Sequence, residues 1–355
     1  MKYFQNYSRL LISYLTPERI FAFPALGKIH TLLMTIICFG GEKRFLSSLK
    51  KLGKIDRLTI SGRMIHEALF NSRGKIRLKL LNEIKVSSKN LSSFESKLFS
   101  DNELERALNQ LKQENFARIG SISHLPLFKN LLKLCDLPVY SSNTKLSLLE
   151  EDNKLLLKEH PDPSLDFIWN AQSELLWDND SFRDILEDSF WSTISDKFFL
   201  GDSKITGFNM WHSFPHNKES NSPENWHRDA NDGLFFIKFF VLLSDVTLEN
   251  GPTAFIPVPI EDLPLKFLTG RRYSDAEIEK FCTRRGIKPH YATGKAGTIY
   301  VGDTRGLHRG TPVLSDHRAL INFRVSIDHQ FGVNNSEKYN IPLAMFKSPE
   351  KFSIF

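Results

Sequence analysis

The sequence predicts an α+β protein in which helices precede an antiparallel β domain, and three observations carry that prediction. Apolar residues recur at helical spacing in the stretch before residue 200, short apolar runs broken by Gly, Pro, Asn and Asp follow residue 205, and the last of those runs alternates apolar with polar side chains. At 355 residues, with 41% hydrophobic and 25% charged residues, the chain can bury a full core, and disorder is not the default.

Residues 1–95 read as a basic helical N-terminal extension, 96–335 as one folded domain (helical over 96–200, β core over 201–330) and 336–355 as a C-terminal tail. The net charge of +6 is uneven: residues 1–100 carry 18 Lys and Arg against 6 Asp and Glu, and the rest carry 29 against 35. Clusters such as Lys43-Arg44, Lys50-Lys51 and Arg73 to Lys79 are ordinary for solvated helix faces, and basic clusters alone identify no partner. No nucleic-acid partner is expected, while a peripheral membrane contact through residues 1–100 stays open. The apolar stretch 31–39 falls short of the roughly 20 residues a spanning helix needs, so no transmembrane helix is expected. Cys38, Cys135 and Cys282 are odd in number and far apart, which indicates neither a disulfide framework nor a zinc knuckle and suits a reducing, cytoplasmic setting.

Within the domain, Ser100 and Glu103 form a capping box opening a helix with Leu104, Leu108 and Leu111 on one face and Gly120 on its far side. A second helix is expected over 181–199, terminated by Gly201. Strands are expected over 205–214, 234–243, 253–258, 297–301 and 318–327, interrupted by a helix that Ser274 and Glu277 cap and Gly286 stops. In the last strand Ala319, Ile321, Phe323, Val325 and Ile327 alternate with Arg318, Asn322, Arg324 and Ser326, with Leu320 as the one apolar intruder. On an open sheet that polar face meets water. In a jelly-roll barrel covered by helices it lines the lumen instead, and presents Arg318 and Arg324 to a ligand.

The chemistry centres on Trp226-His-Arg-Asp229. In an extended segment alternate side chains leave the same side of the backbone, so His227 and Asp229 converge. A second histidine would complete a two-histidine, one-carboxylate face of the kind that holds non-haem Fe(II) and leaves positions open, and His308 in Gly302-Asp-Thr-Arg-Gly-Leu-His-Arg-Gly310 is the candidate. Arg318, ten residues later, is placed to hold a carboxylate in a forked pair. His160-Pro-Asp162 has the same spacing as the first motif, but its two flanking prolines mark a loop. His212 and His216 are either mouth residues or hydrogen-bonded loop residues, and Lys238 is either lumen-facing or snorkelling at the edge of its strand.

These segments, together with Lys238 to Val246 and Glu249-Asn-Gly-Pro-Thr-Ala-Phe-Ile-Pro257, resemble the phytanoyl-CoA dioxygenase family over about residues 200–330. The resemblance implies a double-stranded β-helix core, of jelly-roll or cupin-like type, with flanking helices. It also implies an oxygenase that uses Fe(II), 2-oxoglutarate and O2 to hydroxylate a small organic or lipid-like substrate with release of succinate and CO2. By position, His227, Asp229 and His308 would ligate the iron, Arg318 would bind the remote carboxylate of 2-oxoglutarate, and Asn209 and Phe240 would line its pocket. Halogenating relatives replace the carboxylate ligand with a small residue, so Asp229 favours a hydroxylase. Two departures stand out. Phe255-Ile-Pro257 continues as Val-Pro rather than Gly-Ser-His, and Gly310 stands where relatives often carry a hydroxyl, leaving Thr311 or Ser326 as substitutes. The alternatives are a cupin-like metal- or anion-binding protein without oxidation, and an adaptor for membrane or nucleic acid acting through the basic N-terminus.

Overall fold

The computed structural model describes residues 95–141, 158–164, 166–201, 203–216, 224–229, 235–267 and 272–327. The basic extension before residue 95, its charge clusters, the apolar stretch 31–39, Cys38 and the tail 336–355 lie outside the described residues.

Helix α1 (Asp101–Glu114) starts where its capping box predicts: Ser100 Oγ accepts from the Glu103 amide, and the Glu103 carboxylate accepts from the Ser100 amide. It buries Leu104, Ala107, Leu108 and Leu111. It ends at Asn115, whose φ of 60° is left-handed, and the chain passes directly into strand β1 (Phe116–Ser121). Gly120 therefore lies in a strand rather than past the helix. Its missing side chain makes room for Phe99, which a Cβ would meet at 2.9 Å. Helix α2 (Pro126–Leu132) and strands β2 (Val139–Ser141) and β3 (Ile168–Ala171) follow.

The single helix expected over 181–199 is two, preceded by a short third: α3 (Ser173–Trp177), α4 (Asp180–Leu186) and α5 (Ser189–Phe199). The break falls at Asp188, whose carboxylate accepts from the Phe190 amide to cap α5 and from Ser96 and Lys97 to tie down the domain's first residues. Leu200, not Gly201, takes the left-handed position that closes α5.

The β domain comprises β4 (Lys204–Ser213), β5 (Phe236–Leu242), β6 (Thr253–Phe255), helix α6 (Asp275–Arg285), β7 (His290–Tyr291), β8 (Thr298–Gly302), β9 (His308–Gly310) and β10 (Arg318–Ser326). Both ends of α6 match expectation, with the capping box at Ser274 and a left-handed Gly286. All pairings are antiparallel, giving one sheet in the order β1-β8-β5-β10-β4-β3-β2 and another in the order β7-β6-β9.

The period of two along β5 and β10 divides their residues between two cores. Ile237, Phe239, Val241, Ala319, Ile321, Phe323 and Val325 face the helices, where Trp191 of α5 packs edge-on to Phe239 and Phe323 at 4.9 and 5.0 Å. The opposite row faces the smaller sheet. Leu320 joins Phe240, Leu242, Phe255 and Tyr300 there, and a Cβ on Gly302 would meet Phe255 at 2.5 Å, so the sheets close tightly over that end. Every residue of β10 is buried, so its polar row lies between the sheets and not against water.

Candidate metal centre and its cavity

Residues 227 and 308 lie opposite each other and exchange both backbone hydrogen bonds, at 2.9 and 3.0 Å. The bridge sets the two imidazoles side by side with ring centroids 4.3 Å apart. The Asp229 amide donates to Thr304 O, which keeps the segment extended and aims its carboxylate to the same side. Asp229 Oδ1 lies 3.6 Å from His227 Nε2, and Oδ2 lies 3.4 Å from His308 Nε2. One ligand atom from each residue fits within 4.8 Å of the others, and among the described residues this is the one such group.

The protonation pattern follows from the outer hydrogen bonds. His227 Nδ1 lies 2.7 Å from Asn225 O and His308 Nδ1 lies 3.2 Å from Gly306 O. A carbonyl only accepts, so each Nδ1 carries a proton, and Nε2 is the ring nitrogen that faces the carboxylate. Burial, then the neighbouring His308, push His227 down to about 4, which keeps it neutral and able to ligate at pH 7. At Asp229 burial works in the opposite direction, but the Lys238 ammonium outweighs it, and the carboxyl is held well below its usual range.

Charged side chains that alternate with the ligands pin both segments, and the sequence reading did not assign them. Arg228 Nε donates to Arg305 O, and Arg305 forks onto Asp303 with an Nε to Oδ1 distance of 2.7 Å. All three are buried. The Asp275 carboxylate accepts from Trp226 Nε1 and from Arg309, so α6 grips the residue beside each histidine. The available signal was position alone: Arg228 stands between two ligands and Asp303 and Arg305 stand just before the third.

A cavity of about 340 Å³ opens beside the triad. Phe167, Trp211, Phe214, Phe240 and Val313 supply apolar walls, and Arg318, Asn322, Lys238 and Glu224 supply polar ones. Arg318 stands in register opposite Ser213 and donates to Ser213 Oγ at 3.1 Å and to Gly251 O, while its Nε is buried with no hydrogen-bond partner. Burial pushes the guanidinium down to about 10, so it stays charged at pH 7, with Glu224 acting in its favour.

Phe240 lines this cavity and Asn209 does not. Asn209 lies one strand further on, across from Asn322, which does line it, and its Oδ1 is buried without a partner. Arg324 faces the same side as Arg318, but its Nε and Nη2 are spent on Thr206, so it meets no ligand here. Of the two proposed hydroxyls, Thr311 lines the cavity and donates to Pro252 O, and Ser326 does not line it. The hydroxyl beside Arg318 is Ser213. His212 is buried and held down at about 4, by burial first, and is absent from the cavity lining; His216 contacts Glu224 at 2.8 Å. Lys238 is lumen-facing, with Nζ 2.8 Å from Asp229 Oδ2. The His160-Pro-Asp162 copy lies in a loop, with Asp162 bound to Lys158 and Ser164.

No family model matches the sequence, that of the phytanoyl-CoA dioxygenases included, and no curated protein matches it. Similar solved structures include AviO1 from Streptomyces viridochromogenes Tue57, 19% identical over 63% of this chain and 95% of that one, with a TM-score of 0.38. They also include the non-heme alpha ketoglutarate dependent epimerase SnoN from nogalamycin biosynthesis, 13% identical over 64% and 83%, TM-score 0.41. A third is EctD from S. alaskensis with bound Fe, 17% identical over 68% and 80%, TM-score 0.42. At these scores the likenesses identify neither a family nor a reaction.

Proposed function

We propose that this chain is an Fe(II)- and 2-oxoglutarate-dependent dioxygenase, built on a double-stranded β-helix and related to the phytanoyl-CoA dioxygenases, that hydroxylates a small organic substrate. The observation that carries the reading is the pairing of the partly buried His227 and Asp229 and the buried His308 with a buried guanidinium, Arg318, on one cavity. The donor set fits the metal: two imidazole nitrogens and one ionised carboxylate suit non-haem Fe(II) and leave positions for exogenous ligands. The buried, unpartnered Nε of Arg318 fits the second group, since a carboxylate accepts a guanidinium fork.

In this reading His227 and His308 hold the metal through Nε2 and Asp229 holds it through its carboxylate. Arg318 anchors the remote carboxylate of 2-oxoglutarate, steadied by Ser213, while Phe240 and Asn322 flank the space between. Bound iron with its cosubstrate supplies the chemistry, in which O2 is reduced, 2-oxoglutarate is oxidised to succinate and CO2, and one oxygen atom enters a substrate C–H bond. The protein's share is geometry and exclusion of water: Phe167, Trp211 and Phe214 wall the cavity with apolar surface. Asp229 occupies the ligand position that halogenating enzymes free for halide, which favours hydroxylation. The test is 2-oxoglutarate-dependent O2 uptake with stoichiometric succinate by the iron-loaded protein. Metal uptake with no succinate would replace this reading with that of a cupin-like binding protein.

A further inference from the structure

The proposed function gives no role to Lys238, the charged side chain of the cavity that touches the triad itself. Strand β5 is otherwise apolar, and Lys238 sits on its inward row with only 15% of its side chain exposed. Its ammonium lies 2.8 Å from Asp229 Oδ2, the same oxygen that stands 3.4 Å from His308 Nε2, and 5.8 Å from the Phe236 ring centroid. A metal held by both imidazoles and this carboxylate would share that oxygen with the ammonium. Two cations on one buried carboxylate repel strongly where water screens little. Lys238 is also distinct from the Arg318 anchor: it pairs in register with Arg324, six residues from Arg318 along β10, so the two cations enter the cavity from separate rows.

We propose that Lys238 is a built-in counter-ion that makes cation and anion binding at this site depend on one another. Without metal, its ammonium neutralises Asp229. When a divalent cation takes the carboxylate, the ammonium turns to the metal-side carboxylate of the incoming dicarboxylate. Each ligand then raises affinity for the other by the same factor, as linkage requires. The inference rests on the metal and dicarboxylate reading above and assigns the lysine a positioning role in it.

The test is Mn(II) binding, read from the EPR signal of the free ion, with and without 2-oxoglutarate. Lys238→Met should bind Mn(II) alone about tenfold more tightly than wild type, and the enhancement by 2-oxoglutarate should shrink by about the same factor, since a competing charge is gone. Lys238→Arg should restore both values toward wild type, which loss of packing alone would not do. If the Met variant does not fold, Lys238→Gln, which keeps a donor without the charge, should show the same tightening. Unchanged affinity and unchanged enhancement in the uncharged variants, beside a His308→Ala control that takes up no Mn(II), would overturn the lysine's role and leave the metal site standing. A wild-type protein that takes up no Mn(II) would overturn both.

Discussion

The chain contains the triplet His-x-Asp twice, and the two copies meet opposite fates. At 160–162 it sits in a bend where the histidine is exposed and the carboxylate is satisfied by Ser164 and Lys158. At 227–229 the backbone is extended and bridged to residue 308, both side chains turn inward, and a second imidazole arrives from 81 positions along the chain. The residue types are the same. What differs is the backbone around them: a strand-like segment projects alternate side chains to one side, whereas a proline-flanked bend does not. A ligand motif is thus a property of local conformation plus a partner, and spacing only permits it.

The largest effect expected from that contrast is loss of metal. Ala at His227, Asp229 or His308 should weaken divalent metal binding and 2-oxoglutarate turnover by more than about a hundredfold, beyond what outer residues of metal sites usually contribute. Ala at His160 or Asp162 should change neither. Equilibrium dialysis and a succinate assay report both, and equal losses from the two copies would erase the distinction.

Next comes the buttress that the first copy lacks. Asp303→Ala leaves Arg305 buried without its carboxylate, which should cost about 3–5 kcal/mol of stability in urea unfolding. A loss under 1 kcal/mol would mean that the charged residues between the ligands do not fix them.

Arg318 marks a further difference, since it sets a guanidinium on the cavity beside the 227–229 copy. Arg318→Met should raise the apparent Kd for 2-oxoglutarate about a hundredfold, as expected for removing a charge-assisted fork, while Mn(II) alone binds as in wild type. The smallest effect concerns His212, a buried histidine on the helix-facing side. Its folded pKa of about 4 lies below the ordinary 6.5, so the unfolded chain takes up a proton first as pH falls. The stability it contributes is whole above 6.5 and is lost between 6.5 and 4. Urea midpoints should fall over that window, and His212→Gln should flatten the slope. An unchanged slope would show that His212 is solvated.

Much of this was legible because long elements repeat a period. The capping boxes at Ser100 and Ser274 start their helices where written, and the five longer apolar runs coincide within one to three residues with strands β4, β5, β6, β8 and β10. Strands β1, β2, β3, β7 and β9 were not anticipated, most being too short to display an alternation. The break at Asp188 was hidden because apolar spacing continues across it while the carboxylate caps a new start. At the site, convergence of His227 with Asp229 followed from alternation alone, and His308 from the family-like segment around it. The pairings Asp303 with Arg305 and Lys238 with Asp229 were not legible, because which charges meet is decided by tertiary packing.

The most direct test of the metal site is anaerobic Fe(II) titration of the wild-type chain and of its His227→Ala and His308→Ala variants. Wild type should bind one Fe(II) per chain and show a weak visible charge-transfer band on adding 2-oxoglutarate, and the variants should show neither. One Fe(II) bound equally well by all three proteins, with the band intact, would contradict the ligand assignment.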